Sequence, residues 1–267
     1  MTTEWTWEPD DFAAIWYSAA VDRFPQPLHF RSRFTTAEAF EAHRVSVRER
    51  YSGDEMETIE LAAHTLRTSD VRIEILGGTR KHRDNHHSMK EYRIVGARNL
   101  HYAVVLRQTA TGGEDGPIRL RLCRTESLPA RIAQFIPPCG PGGHEAATFH
   151  IHDIEQHDNS YIENVARNTP REQYQRLLGR PADGGGSAGL LVGSILARPA
   201  ASKTISWHDI TDDGRYTEQR TLEHITVRPA TPPALSTLFA AWIDKAVQHL
   251  QEDGTGCSEP REWNIYE

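Results

Sequence analysis

The chain has 267 residues, with 30 Lys and Arg against 37 Asp and Glu and a formal net charge of −7 at pH 7. That mildly acidic balance argues against a general nucleic-acid binder. With 38% hydrophobic residues and a mean hydropathy of −0.59, the composition predicts a soluble protein, and no apolar run of about 18 residues is present to insert in a membrane. The acidic start (Glu4, Glu8, Asp10, Asp11) offers no basic region ahead of an apolar one, so no signal peptide is expected. Cys123, Cys139 and Cys257 are odd in number and lack ligand spacing, which points to a reducing cytosol.

In chain order, Trp5 and Trp7 alternate in a short strand, and Pro9 starts a helix with an acidic first turn and a buried stripe of Phe12, Ile15, Trp16 and Ala19. Leu28–Phe34 reads as a strand. Thr35 and Glu38 have capping-box spacing, so a helix runs to about Tyr51, followed by a second carrying Met56, Ile59, Ala63 and Leu66. Four extended runs follow, beginning at Val71, Glu91, His101 and Ile118, with a turn predicted over 96–99 between the second and third. Ser127-Leu-Pro129 then opens a helix with Leu128, Ile132, Phe135 and Ile136 on one face.

Between the first two strands lies residues 77–90, polar and basic inside an acidic chain. A hairpin needs only about two to five connecting residues, so a connection this long is either functional or disordered. Residues 137–143, rich in Pro and Gly, form the clearest boundary, dividing one domain of 1–267 into subdomains 1–136 and 144–253 with a tail of 254–267. Phe149–Ile154 reads as an extended crossing segment, and Thr169-Pro170 caps a helix to Leu178. Gly184-Gly-Gly-Ser187 reads as a loop before a strand starting at Leu190.

The second half closes with a hairpin of 203–209 and 215–220 around Asp212-Asp213-Gly214, a third strand over 223–228, and a helix capped by Thr231. Leu235, Leu238, Phe239, Trp242, Ile243, Ala246 and Leu250 give that helix one apolar face. A meander followed by an amphipathic helix thus occurs twice, which reads as a duplication or two halves of similar architecture.

No catalytic apparatus is visible. His82, His86 and His87 form one histidine group and His150, His152 and His157 another, and a His-x-His on a strand places both rings on one face. Neither group brings the carboxylate and orienting partners of a zinc site. Asp209, Asp212 and Asp213 are accounted for by hairpin-turn geometry. The chain reads as no enzyme and without cofactor, the alternative being a small-molecule or metal-dependent enzyme built on the histidine-rich segments.

Phe12-Ala-Ala-Ile-Trp16, Phe24-Pro-Gln-Pro-Leu-His-Phe30, Phe34–Glu38, Ser127–Pro138 with Gly140-Pro-Gly142, Trp207–Tyr216 and Val227–Ala230 occur in an order and spacing that resemble the EspG family, cytosolic chaperones of type VII (ESX) secretion in actinobacteria. The resemblance implies an α+β fold: a central, mostly antiparallel sheet flanked by helical bundles, in two pseudo-twofold related halves. It implies binding of the tip of a PE–PPE heterodimer, a client kept soluble until secretion, by a protein that is a monomer or a weak homodimer. In the family the loop between the early strands reaches the partner. By position that role passes to 77–90, and Arg80, Lys81, His82, Arg83 and Met89 become the candidate partner-binding residues.

Overall fold

The computed structural model describes residues 3–18, 21–80, 89–155, 169–197 and 199–255. Ten strands form one sheet in which every neighbouring pair is antiparallel. They are β1 (Thr3–Trp7), β2 (Val71–Thr79), β3 (Lys90–Arg98), β4 (Tyr102–Thr111), β5 (Glu114–Arg124), β6 (Ala147–His150), β7 (Ala182–Val192), β8 (Lys203–Ile210), β9 (Arg215–Arg220) and β10 (His224–Pro229). The order across the sheet is β1-β5-β4-β3-β2-β7-β8-β9-β10-β6. In each half a four-strand meander runs outward from the centre, and the strand preceding it in the chain returns to the outer edge. The two meanders meet at β2 and β7, paired from Val71↔Val192 to Thr79↔Gly184.

Alternation along the strands sorts the side chains onto two faces. On the front of the N-terminal half, Val95, Val104, Leu106, Ile118, Leu120 and Leu122 pack against α1 (Pro9–Trp16), α2 (Ala37–Arg48) and α3 (Gly53–Arg67). On the back, Ile73, Ile75, Tyr92, Ile94, Leu190, Ile205 and Trp207 pack against α4 (Leu128–Phe135) and the last helix, α7 (Pro232–Thr255). Phe239 and Trp242 are buried there, as their register on the helix predicts. The front of the C-terminal half has a smaller cover: α5 (Ile151–Glu155) and α6 (Pro170–Leu178) over Phe149, Ile210, Tyr216, Ile225 and Val227.

Several sequence expectations need correction. Leu28–Phe34 forms no strand: the backbone of His29 is satisfied by the buried Gln108 amide, which accepts from its N–H at 2.7 Å and donates to its carbonyl at 2.8 Å, so no ladder partner is needed. The cap of α2 is Thr36, whose hydroxyl accepts from the Ala39 N–H, and that helix ends at Arg48. Gly96 is not in a turn but inside β3, where a Cβ would lie 2.3 Å from Ile132 Cδ1; its bareness lets α4 settle on the sheet. Gly184–Gly186 are likewise inside β7: a side chain at Gly186 would meet the Trp207 ring at 2.6 Å and the Tyr92 hydroxyl at 2.9 Å. Phe149–Ile154 is not one extended segment but an edge strand ending at His150 and a helix beginning at Ile151. Ala19 lies outside the described residues.

Candidate functional site

Among the described residues, no helix covers the strip of central strands between the two sets of front helices. Its floor is β2, β7 and the start of β8, where Leu76, Ser187 and Thr204 all face the front and are exposed. Leu76 is 52% exposed although it sits mid-sheet, between Arg93 on β3 and Ser187 on β7. Met89, 44% exposed, lies over Gly78, where a Cβ would come within 2.4 Å of its Sδ. Two large apolar side chains therefore stand together on the open strip, at the base of the β2–β3 connection. Arg80 starts that connection; its backbone N–H donates to the Asp183 carbonyl at 2.6 Å, tying it to the start of β7, while its side chain is exposed.

Both walls of the strip are polar. On the N-terminal side, Arg93 donates to Asp115 at 2.5 Å and to Glu91 at 3.0 Å. Burial works to raise the Asp115 carboxyl, but hydrogen bonds from His29 and Arg93 outweigh it and hold it below the usual range. On the C-terminal side, Glu218 on β9 lies 3.4 Å from His208 Nε2, accepts from Arg220 at 2.8 Å and from the Tyr174 hydroxyl of α6 at 3.2 Å. The His208 ring beside it is the main cause that lowers its carboxyl to about 2; burial opposes it and Arg220 reinforces it. Two exposed apolar side chains on the floor, between charged walls, suit a partner with an apolar tip, the walls setting orientation and choice rather than gross affinity.

Of the five predicted contact residues, the structure brings Arg80 and Met89 to this strip; Lys81, His82 and Arg83 lie outside the described residues, as do His86, His87 and His157. His150 and His152 do not share a strand face, because the strand ends between them; their ring centroids are 6.3 Å apart and nearly perpendicular. Among the described residues no three His, Cys, Asp or Glu side chains are grouped as a metal site would require. Sequence reasoning missed Leu76 altogether. Its alternation with Ile73 and Ile75 would place it on the opposite face, but nothing local says that face is bare.

The turn-geometry account of the aspartates holds for Asp212, whose φ is 59°, and fails for its neighbours. Asp209 is buried and grips the Arg215 guanidinium through two bonds of 2.6 and 2.8 Å. Asp213 accepts from the Gly143 N–H at 2.6 Å, the Tyr216 hydroxyl at 2.7 Å and Arg180 at 2.7 Å. Burial would raise its carboxyl; those three donors bring it down to about 2. The Arg215 guanidinium also donates to the Pro137 carbonyl at 2.9 Å, and its backbone pairs with Gly140 and Gly142. Residues 137–143 are thereby strapped onto the second hairpin.

A second concavity, about 420 Å³, lies on the back between the β7–β8 region and α7, lined by Leu190, Val192, Trp242, Ala246 and Leu250 with Lys203 and Lys245 at its mouth. It flanks the far end of β7 from the β2–β3 connection. No helix among the described residues is long and apolar enough to cross a membrane.

The model of the ESX-1-associated EspG family matches residues 8–239. No curated protein matches the sequence. Among solved structures, a 12:0-ACP thioesterase from Umbellularia californica aligns over 86% of this chain and 98% of its own, at 9% identity and a TM-score of 0.16, a likeness too slight to carry any argument.

Proposed function

The chain belongs to the EspG family of ESX secretion, and from that premise we propose that it is a cytosolic chaperone which holds the tip of a PE–PPE heterodimer on the open front strip. The observation that carries the reading is the pairing of Leu76, in the middle of β2, with Met89, just ahead of β3, large apolar side chains that stay exposed among the described residues. Exposed apolar surface at the middle of a sheet is costly in water unless a partner covers it. Helical tips dock by setting a few apolar anchors into such a surface.

The charged walls of Arg93 and Glu91 on one side and Glu218 and Arg220 on the other would then form the polar rim. Arg80, Lys81, His82, Arg83 and Met89 keep their assignment to the β2–β3 connection.

Co-expression with a PE–PPE pair from the same genome tests this directly. Leu76→Asp combined with Met89→Asp should abolish co-purification while leaving the melting temperature of the free protein nearly unchanged, since both positions are exposed. Co-purification that survives both substitutions removes the strip from the reading; failure of wild type to bind any such pair removes the client class.

A further inference from the structure

The back face of the N-terminal half collects more positive charge than it neutralises. Arg107 on β4 stands directly opposite Arg119 on β5, a like-charge cross-strand pair that is unfavourable by itself. Arg119, Arg121 and Arg107 all approach the Phe135 ring, with guanidinium carbons 5.8, 5.4 and 5.9 Å from its centroid. Among the described residues one acid serves the group: Glu4, from the edge strand, bonds Arg119 and Arg121. Arg107 has no carboxylate among the described residues, and its Nε is buried without an acceptor.

Beside Arg107 is a cavity of about 180 Å³, between the ends of β2 and β3 and the C-terminal turn of α4. Lys90, Thr79, Tyr92, Gln134 and Pro137 line it with Arg107. Lys90 is in no described ion pair. The Gln134 carbonyl accepts from Arg131 at 3.1 Å, which orients the amide and leaves its NH2 group to donate. Burial, and then the neighbouring Arg119 charge, push the Arg107 guanidinium down from its usual value, the signature of a cation short of a counter-charge.

We infer that this cavity is a binding site for a compact oxyanion, held by Arg107, Lys90 and the Gln134 amide. A guanidinium with an unused N–H, an ammonium and an amide among the residues lining one small cavity match an oxyanion's several acceptor atoms. The two sources of that chemistry are a free tetrahedral anion such as phosphate and a carboxylate. The site is separate from the client strip, which lies on the other face of the sheet.

Calorimetric titration of the full chain with sodium phosphate, and separately with sodium acetate, in a chloride background of matched ionic strength tests it. One of the two should bind saturably and raise the melting temperature, and the one that does identifies the source. Arg107→Gln and Lys90→Gln should each weaken that binding at least about tenfold, the loss of one charge-assisted bond. Arg107→Met, which removes the unpaired charge, should match or exceed wild-type stability in anion-free buffer, so lost binding in the Arg107 variants cannot be ascribed to unfolding. Neither anion binding, or binding that persists unchanged in Arg107→Gln, overturns the assignment.

Discussion

The two halves of the sheet share a plan and differ in what seals it. In the N-terminal half the front is closed by an aromatic pile: Trp5 stacks on Trp7 at 5.9 Å, and Trp7, Phe12, Trp16 and Phe24 continue it. Among the described residues, twenty-one buried ones belong to that cluster, against six at the equivalent place in the C-terminal half. The C-terminal half is instead pinned by polar chemistry: Arg215 with Asp209, Asp213 with Tyr216 and Arg180, and Glu218 with its three partners. A skeleton used twice thus has one half held by burial and the other by paired charge.

The sharpest way to break that contrast is Arg215→Met. It leaves Asp209 buried without its partner, which costs about 3–5 kcal/mol, read as a drop in the urea midpoint. Arg215→Met with Asp209→Leu should recover most of the loss, because the penalty is the orphaned charge rather than the missing pair. If the double variant is as unstable as the single, the pair matters through the Pro137 strap instead. Next in size, Trp16→Ala should cost about 3–5 kcal/mol and Leu177→Ala, on the thin cover of α6, only about 2. A larger loss at Leu177 would mean the second half is sealed by burial after all.

How much of this was legible in the sequence follows from how local each signal is. The turn at Asp212-Asp213-Gly214 gives the β8–β9 register, although the positive φ falls at Asp212 rather than at Gly214, and Thr169 with Glu172 forms a capping box. The same register sets Asp209 opposite Arg215, so that ion pair was readable once the hairpin was drawn. Gly184–Gly186 were not readable as strand: their reason is the Tyr92 and Trp207 rings, which arrive from distant segments. Leu28–Phe34 fails as a strand because Gln108 takes its backbone groups from 79 residues away. The open strip is the least legible feature, being defined by where helices do not reach. In Trp207–Tyr216, the most specific part of the EspG resemblance, Trp207, Asp209, Arg215 and Tyr216 are buried, so that stretch identifies the fold rather than the contact surface.

Acid should probe the polar half with a smaller effect. Glu218 is held at about 2 from an ordinary 4.5, so its stabilising contribution is complete above that ordinary value and is lost as pH falls toward 2. Glu218→Gln should therefore flatten the fall in stability across that window, by about 1–2 kcal/mol, and change little near neutrality beyond the loss of the His208 and Arg220 contacts. Urea midpoints for both proteins at several pH values check it. Parallel curves down to pH 2 would show that the acid sensitivity lies elsewhere, with Asp213 the next group to replace.

The smallest expected effect on stability, and the one that bears most on function, concerns the connection between β2 and β3. Residues 80–89 carry Arg80, Lys81 and Arg83 against a single acid, Asp84, on a chain whose net charge is −7. Arg80, at its start, is exposed and in no described ion pair, so reversing its charge should remove nothing that holds the fold. A partner meets such a segment through its field before it meets the strip, and charge at a rim acts on the rate of encounter more than on the residence of the complex. The triple reversal Arg80→Glu, Lys81→Glu, Arg83→Glu should slow association with a PE–PPE pair about tenfold at low salt. The gap should narrow as salt shortens the screening length to about 8 Å near physiological strength. Dissociation should change little, and the melting temperature should stay within about a degree. Leu76→Asp and Met89→Asp should do the reverse, acting on dissociation with a weak salt dependence. Stopped-flow association at low and high salt distinguishes the two. If the triple reversal associates as fast as wild type at low salt, the basic segment does not steer the client, and the strip must recognise it by its apolar floor alone.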